Sequence, residues 1–302
     1  MKHKGKHLIG RVFVYLLLFE IAFIILFPLI SKLFASFMSM DDIYDKTVRL
    51  IPRNPTLDNI TAVLEETSYW ESLKNTFLVS LMSAVLQTLV CALTGYGLAK
   101  LKSKLSGVVF AIVIMTILIP PQIILIPMYL RFRFFDFFGI IKLLTGNPAV
   151  LMNSLWPMLI LSITGFAFKN GLYIFIMRQF YKGIPEEIEE AASIDGCGII
   201  PGFFRIVLSM SVPMLVTIFM FSFCWQWTDT FYSGVFFSEL KVLANSIFTM
   251  PSASQAGAFA NNFRTNIILH TGVLLAIAPL VPVYLLAQRR LIAGVERSGL
   301  VG

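Results

Sequence analysis

Charged residues are scarce in this chain of 302 residues: Asp, Glu, Lys and Arg together make up 14%, whereas hydrophobic residues make up 57%. The mean hydropathy is +0.80. A soluble domain of this length does not bury so much apolar surface, but a lipid bilayer accepts it directly. The apolar residues form continuous runs rather than the alternating segments of a transmembrane barrel. The sequence therefore predicts an all-α polytopic membrane protein.

Motifs of catalysis and metal binding are also missing. The sequence contains no Walker A pattern, no G-x-S-x-G, no H-E-x-x-H and no C-x-x-C. Its three cysteines, Cys91, Cys197 and Cys224, lack the spacing of metal ligands and are expected to be free thiols. We therefore expect no catalytic residue, no metal site and no cofactor in this chain.

Basic residues give the chain a formal net charge of +7, which could indicate a nucleic-acid partner. They stand beside the apolar runs rather than in a stripe, so contact with membrane lipid is expected and nucleic acid is not. The N-terminus, the loop around residue 102 and the C-terminal tail hold ten Lys or Arg residues (four, three and three) and one Glu. The positive-inside rule then predicts that both termini are cytoplasmic.

Six apolar segments are long enough to be transmembrane helices. They lie at about 12–34, 75–98, 107–130, 155–177, 205–227 and 267–286. With them, the whole chain, 1–302, is predicted to be a single transmembrane domain. Prolines at positions 120, 121 and 127 predict that the third helix is broken, as happens where backbone is buried in protein or lines a cavity.

A polar stretch, 183–204, separates the fourth and fifth apolar segments. Pro185 suits the first turn of a helix, because its missing N–H costs nothing there. Four acidic residues follow at the end of the helix where negative charge is favoured: Glu186, Glu187, Glu189 and Glu190. Gly196 accepts the left-handed conformation that ends a helix. A helix of about 11 residues, roughly 16 Å long, cannot cross a bilayer, so we predict a helix–turn–helix at one membrane face.

The same stretch resembles the EAA loop of permease subunits in binding-protein-dependent ABC importers. The resemblance rests on Glu190-Ala191-Ala192, on Gly196 after three more residues, and on Ile206-x-Leu208 after a further nine. The family pattern ends in Leu-Pro, whereas this chain has Ser209 at the proline position. Ser-Val-Pro at 211–213 keeps the register beyond that departure.

Other segments resemble the maltose-type carbohydrate group of these permeases: Tyr96-Gly97-Leu98-Ala99 and Gln288-Arg289-Arg290-x-x-x-Gly294. The resemblance implies a type I ABC importer permease fold in a bacterial cell membrane, with the chain forming half of the pathway for a sugar or oligosaccharide. It implies three kinds of partner: a second, homologous permease subunit, an ATPase dimer that binds ATP and Mg, and an extracytoplasmic solute-binding protein. Ser298, Gly299 and Leu300 in the tail would contact the ATPase.

Coupling to that ATPase would fall to the polar stretch, because a short rigid helix can pass a rigid-body movement to the spans it joins. The residues expected to take part are Glu186, Glu187, Glu190, Ala191, Ala192, Asp195, Gly196 and Arg205.

Two pairs of residues are candidates for the solute path. Lys169 and Asn170 lie near the middle of the fourth predicted span, where a charge is costly unless it faces water or another chain. Alternatively, the span is shifted and Lys169 extends to an interface. Trp227 and Asp229 end the fifth span and fit either a headgroup belt or a sugar-facing surface.

Two other functions stay open at this point. One is an ABC importer permease for a solute that is not a sugar. The other is a secondary transporter driven by an ion gradient, for which paired intramembrane carboxylates or an inverted repeat would be expected. Instead of such a pair, the sequence offers Lys169 and, near an interface, Asp229.

Overall fold

A computed structural model describes residues 2–100, 104–250 and 262–299, and helices account for most of them. The longer helices and their connecting turns are α1 (Lys2–Ala35), α2 (Met40–Tyr44), α3 (Asp58–Glu66), α4 (Tyr69–Lys100), α5 (Lys104–Leu118), α6 (Pro121–Arg133), α7 (Ile140–Thr145), α8 (Trp156–Thr164), α9 (Asn170–Lys182), α10 (Glu186–Ile194), α11 (Ile199–Gly202), a π-helical turn (Phe203–Val207), α12 (Leu208–Met210), α13 (Val212–Trp227), α14 (Phe231–Phe236), α15 (Leu243–Phe248), α16 (Asn262–Ile277) and α17 (Leu280–Gly299). Within these ranges, extended pairing is limited to two isolated bridges, Met38 with Pro55 and Phe135 with Ala149. The predicted all-helical class is confirmed.

Two of the described helices are long and apolar enough to cross a membrane, Gly10–Ala35 within α1 and the whole of α4. The number rises to as many as five if each of three bent helix pairs forms one span. These pairs are α5 with α6, Ile199–Met210 with α13, and Phe263–Ile277 with Leu280–Ile292. Several candidate spans are therefore present, and the six-span topology stays a prediction.

The chain divides into two compact units. The first comprises residues 1–70 and 246–278. Its small core contains Val63, Ile247, Met250 and Ile268. Buried Asn59 at the start of α3 donates to the carbonyl oxygens of Ser36 (3.2 Å) and Met38 (2.8 Å). These bonds hold the polar segment after α1 in place against the start of α3.

The second unit comprises residues 71–245 and 279–302, and two apolar clusters lie in its described part. One cluster joins α4, α9 and the start of α13, and includes Cys91, Tyr173, Met177 and Met214. The other joins α6, α8 and α14, and includes Phe132, Met158 and Phe236. Both clusters are built from long apolar side chains of helices that are distant in sequence, as in a packed helical core.

The third predicted span is broken at the expected place. α5 ends at Leu118, Pro120 stands before α6 in an extended conformation, and the two helices meet at 101°. Proline lacks the N–H that would continue the helix, and it restricts the residue before it. The segment 107–130 is therefore two helices and not one straight rod.

The fourth and fifth predicted spans are also interrupted, although the sequence predicted each of them as one continuous helix. The chain leaves α8 through left-handed Gly165 (φ +78°) and enters α9 through left-handed Lys169 (φ +70°), so 155–177 is not one helix. In the fifth, Arg205 lies in the π-helical turn, and α13 begins only at Val212 after a bend of 77°. Pro213 in the first turn of α13 explains the bend, because its ring prevents a regular helix from continuing through it.

Gly294 is a close contact point between α17 and α13. A Cβ atom there would meet the hydroxyl oxygen of Thr217, and would lie 2.7 Å from the carbonyl oxygen of Pro213. Only glycine lets the two backbones approach this closely. The contact gives a physical reason for the glycine of the Gln-Arg-Arg-x-x-x-Gly segment.

We expect Gly294→Ala to lower the thermal stability of the purified permease by about 1–3 kcal/mol, because the added methyl group overpacks the contact between α13 and α17. Gly107→Ala is the matched control, since nothing lies within 4 Å of a Cβ at that position. The measurement is the Tm of both variants in the same detergent. Equal Tm values for the two variants would contradict the packing role of Gly294.

A hairpin at the end of the helical core as candidate functional site

The segment predicted at the membrane face forms a hairpin, defined here as residues 183–210. Its first helix, α10, has nine residues, slightly fewer than the 11 expected. Gly196 has a φ of +79°, and its N–H donates to the carbonyl oxygen of Ser193 at 3.0 Å. The N–H of Cys197 donates to the carbonyl oxygen of Ala192 at 2.9 Å. This pair of bonds is the Schellman motif, and it confirms that the helix stops at Gly196.

An aromatic seat, made of Tyr96, Tyr181 and Phe203, fixes the hairpin to the helical core. The ring of Phe203 lies 4.6 Å from that of Tyr96 and 6.4 Å from that of Tyr181, measured between centroids. Ile184 and Val207, at the two ends of the hairpin, are buried in the same apolar cluster. Both helical arms of the hairpin are therefore anchored by buried side chains.

An ion pair adds a polar anchor beside the seat. The Lys100 ammonium lies 3.0 Å from Oε1 of Glu189 and 3.4 Å from the carbonyl oxygen of Ile184. Both side chains are mostly buried, at 17% and 27% exposed. Lys100 is the last residue of α4, so this pair connects α10 directly to a candidate span.

The expected coupling residues lie on different sides of α10. Ala192 is buried, whereas Ala191 and Glu190 are exposed. The other expected residues are also exposed: Glu186, Glu187, Asp195, Gly196 and Arg205. Glu189, which the sequence reading did not select, is the acidic residue that points inward. Helical spacing gave the signal, since Glu189 lies three residues before buried Ala192.

The far end of the hairpin carries an exposed apolar face that the sequence reading also missed. It is defined by Ile194, Ile199, Ile200 and Phe204, which are 86%, 81%, 72% and 55% exposed. Exposed apolar groups rimmed by polar residues mark an interaction surface. The acidic residues of α10 supply such a rim. The available signal was the Ile-Ile pair directly after a glycine turn.

The structure places Lys169 in the turn between α8 and α9. Its ammonium lies 4.7 Å from the ring centroid of Phe168 and 4.9 Å from that of Trp225, so two aromatic faces stabilise the charge. Asn170 follows as a fully buried residue. Neither polar atom of its side-chain amide has a hydrogen-bond partner in the described part of the chain.

Trp227, another candidate for the solute path, packs inside the protein, and the described tail residues lie at the end of α17. Trp227 is buried and lies 5.5 Å from the ring of Phe223. Trp225 is the half-exposed indole instead. Ser298 and Gly299 continue the backbone of α17, whereas Leu300 lies outside the described residues.

Asp229 lies just after the end of α13 and caps the next helix, α14. Its carboxylate accepts the backbone N–H groups of Phe231 (3.2 Å), Tyr232 (3.1 Å) and Ser233 (2.8 Å) at the start of α14. Burial raises the pKa of Asp229, and these three N–H groups oppose that rise. The carboxylate borders a cavity of about 20 Å³, which Gln87 also lines. This volume has room for about one water molecule.

Comparison with known proteins identifies the family. The profile of the binding-protein-dependent transport system inner membrane component matches residues 70–296. The arabinooligosaccharides transport system permease protein AraQ of Halalkalibacterium halodurans is 30% identical over 288 residues, which is 93% of both chains. The melibiose/raffinose/stachyose import permease protein MelC of Bacillus subtilis is 28% identical over 254 residues, which is 84% of both chains.

A solved structure supports the fold. A chain of a bacterial ABC transporter involved in the import of the acidic polysaccharide alginate superposes with a TM-score of 0.72. The alignment has 21% sequence identity and covers 93% of this chain and 96% of that chain.

The family match therefore makes this chain a multi-pass permease of the bacterial inner membrane rather than an enzyme. The chain belongs to the binding-protein-dependent transport system inner membrane component family, and it is the permease subunit of an ABC importer. The ion-coupled alternative raised from the sequence does not fit this family.

We expect Phe203→Ala to destabilise the permease by about 3–5 kcal/mol, because it leaves a cavity between Tyr96 and Tyr181. Phe204→Ala is the matched control. The ring of Phe204, the next residue, is 55% exposed, so its removal should change the free energy of unfolding little. Thermal unfolding of both purified variants measures the difference. A Phe203→Ala protein as stable as Phe204→Ala would show that the seat does not anchor the hairpin.

We expect Asp229→Asn to change how stability depends on pH. Burial raises the pKa of Asp229, so the stability contributed by its protonated form is present below its ordinary pKa and is lost as pH rises through the raised value. Asn stays uncharged and still caps the helix. The Tm of the natural protein minus that of Asp229→Asn should therefore fall as the pH rises above the ordinary pKa of an aspartate, about 4.

Asp45→Asn provides the control of opposite sign. Hydrogen bonds from the backbone and hydroxyl of Thr47 lower the pKa of Asp45. Its contribution to stability is therefore present above its ordinary pKa and is lost as pH falls. The corresponding Tm difference should rise with pH or stay flat, and a rise for Asp229→Asn would contradict its buried position.

Proposed function

We propose that this chain forms half of the translocation pathway for a sugar or oligosaccharide, and that an extracytoplasmic solute-binding protein delivers the solute. The relatives carry this proposal: one is named for arabinooligosaccharides and another for melibiose, raffinose and stachyose. In the proposed importer a second, homologous permease subunit completes the pathway. A separate ATPase dimer binds ATP and Mg, since the sequence has no Walker A pattern.

The topology proposed for the chain has six transmembrane helices and cytoplasmic termini, in the type I arrangement. The distribution of Lys and Arg supports this orientation, because basic residues favour the cytoplasmic side. The hairpin then lies at the cytoplasmic face, where the ATPase is. Ser298, Gly299 and Leu300 at the end of α17 would be a second contact with the ATPase.

The exposed apolar face is the observation that supports coupling through the hairpin. Ile194, Ile199, Ile200 and Phe204 would enter a groove of the ATPase, with Glu190 and its acidic neighbours accepting hydrogen bonds from basic residues at the rim. The aromatic seat and the Lys100–Glu189 pair prevent the hairpin from moving alone. When ATP binding closes the ATPase dimer, the movement would pass through α10 and α11 to α9 and α13.

For the solute path, we propose the surface around the break between α8 and α9. Lys169 and half-exposed Trp225 offer a cation and an aromatic face there. Buried Asn170 and Trp227 and partly buried Asp229 support the turn and the end of α13. A broken helix at the site of transport is a recurring arrangement in transporters. The small volume of the cavity beside Asp229 means that this conformation does not enclose a solute.

We expect Ile200→Asp to reduce binding of the ATPase by about tenfold or more, because a carboxylate would lose its hydration in an apolar contact. Gly196→Asp should have the same effect, because a side chain at this position strains the left-handed turn (φ +79°) that shapes the hairpin. The measurement is co-purification of the ATPase and solute-stimulated ATP hydrolysis in reconstituted importer.

Ile200→Val is the matched control and should retain both properties, because it keeps the apolar contact. The amount of each variant in the membrane is measured alongside, to separate loss of docking from loss of the permease. Normal ATP hydrolysis and uptake by importers with Ile200→Asp and Gly196→Asp would contradict the coupling proposal. A screen of oligosaccharides with the same importer tests the solute class separately.

A further inference from the structure

Glu20 lies deep inside a candidate membrane span. The span is Gly10–Ala35 of α1. At 1.5 Å per residue, Glu20 is about 15 Å along the axis from Gly10 and about 22 Å from Ala35. The hydrocarbon core of a bilayer is about 30 Å thick, so the carboxylate falls near its middle. A glutamate side chain is too short to reach either interface from that depth, unlike the long side chains of lysine and arginine.

No group in the described part of the chain pairs with this carboxylate. Glu20 is exposed, as are all residues from 10 to 30, and the most apolar 18-residue window of the span has no buried residue. Ion pairs in the described part of the chain, such as those of Arg53 with Asp45, Lys100 with Glu189 and Lys241 with Glu71, lie outside this span. The acidic side chain is therefore presented on the outer surface of an otherwise apolar helix.

The last turns of α1 behave differently. The Lys32 ammonium lies 3.1 Å from Nδ1 of His270 on α16, within the same unit. Residues 31, 32, 34 and 35 are partly buried, and Ser36 is buried. The charge at this end of the helix thus has a partner in its own chain, whereas the charge at the middle does not.

Lipid is a poor environment for Glu20. Acyl chains offer neither a hydrogen-bond donor nor a cation, and ionisable residues inside membranes almost always face other protein or a water-filled cavity. The proposed ATPase and solute-binding protein lie outside the hydrocarbon region, so neither reaches the middle of the bilayer. Another membrane-embedded chain is the component that can.

We infer that a membrane helix of the second permease subunit packs against α1 over Glu20 and carries a lysine or arginine opposite the carboxylate. The sign of the charge sets the chemistry of the partner residue, and its depth sets where that residue lies. Paired in this way, the carboxylate fixes both the register and the identity of the neighbouring helix. The inference rests on the proposed function in one respect, the existence of the second permease subunit.

The test uses the whole importer, purified through a tag on this chain, and measures how much of the second permease subunit is recovered. We expect Glu20→Ala to reduce that recovery about tenfold, because it leaves a buried basic residue without its partner. Leu18→Ala is the matched control: it lies at almost the same depth but, two residues away, on the opposite side of the helix. It should recover the complex normally.

A charge reversal identifies the partner residue. Glu20→Lys should also separate the subunits, and a photo-reactive residue at position 20 should crosslink to the second permease subunit beside a lysine or arginine. Changing that basic residue to glutamate should restore recovery with Glu20→Lys. Full recovery with both Glu20→Ala and Glu20→Lys would overturn this inference while leaving the second subunit in place. If the natural chain recovered no second permease subunit, the proposed partner and this inference would fall together.

Discussion

The packing of Phe203 between Tyr96 and Tyr181 is the contact on which the rest of the hairpin depends. A polar loop at a membrane face would ordinarily move independently of the helices beneath it, because few buried groups hold it. Here both ends of the loop reach one apolar cluster, and the mostly buried pair of Lys100 and Glu189 lies beside it. In the proposed coupling, a force applied to the exposed end of the hairpin would therefore pass to α4, α9 and α13 rather than be absorbed by the loop.

Breaks in the helices lie where hinges between those elements would be. α5 and α6 meet at a proline, α8 and α9 at two left-handed residues, and the hairpin and α13 at Ser211. One side of α4 carries buried polar atoms that have no hydrogen-bond partner in the described residues. They are the hydroxyl oxygens of Ser80 and Ser83 and the side-chain amide oxygen of Gln87. Such groups are ordinarily satisfied by ordered water or by groups that face them in another conformation. Broken helices beside unsatisfied polar groups suit a protein that alternates between two arrangements.

Local signals in the sequence were sufficient for some of these features and not for others. Pro185 and Gly196 determine where α10 begins and ends through backbone chemistry alone, and Pro120 determines a break in the same way. The left-handed turn at Lys169 carries no such signal, because lysine rarely adopts a positive φ. It depends on tertiary packing, with two aromatic rings holding the ammonium. The bend at Ser211 had a signal in Pro213, but the family pattern directed attention to Ser209. That serine instead bonds the carbonyl oxygens of Arg205 and Ile206.

Charges within the apolar segments show why a single chain is an incomplete unit of this fold. Lys169 is stabilised by aromatic faces and Lys32 by a histidine, each from within its own compact unit. Glu20 has neither, although its span has a mean hydropathy of 2.7, against 2.0 for α4. The sequence reading counted the segment 12–34 as one apolar run and overlooked the single acid within it. Because a bilayer penalises an unpaired charge far more than water does, an acid that folding leaves exposed indicates where assembly continues.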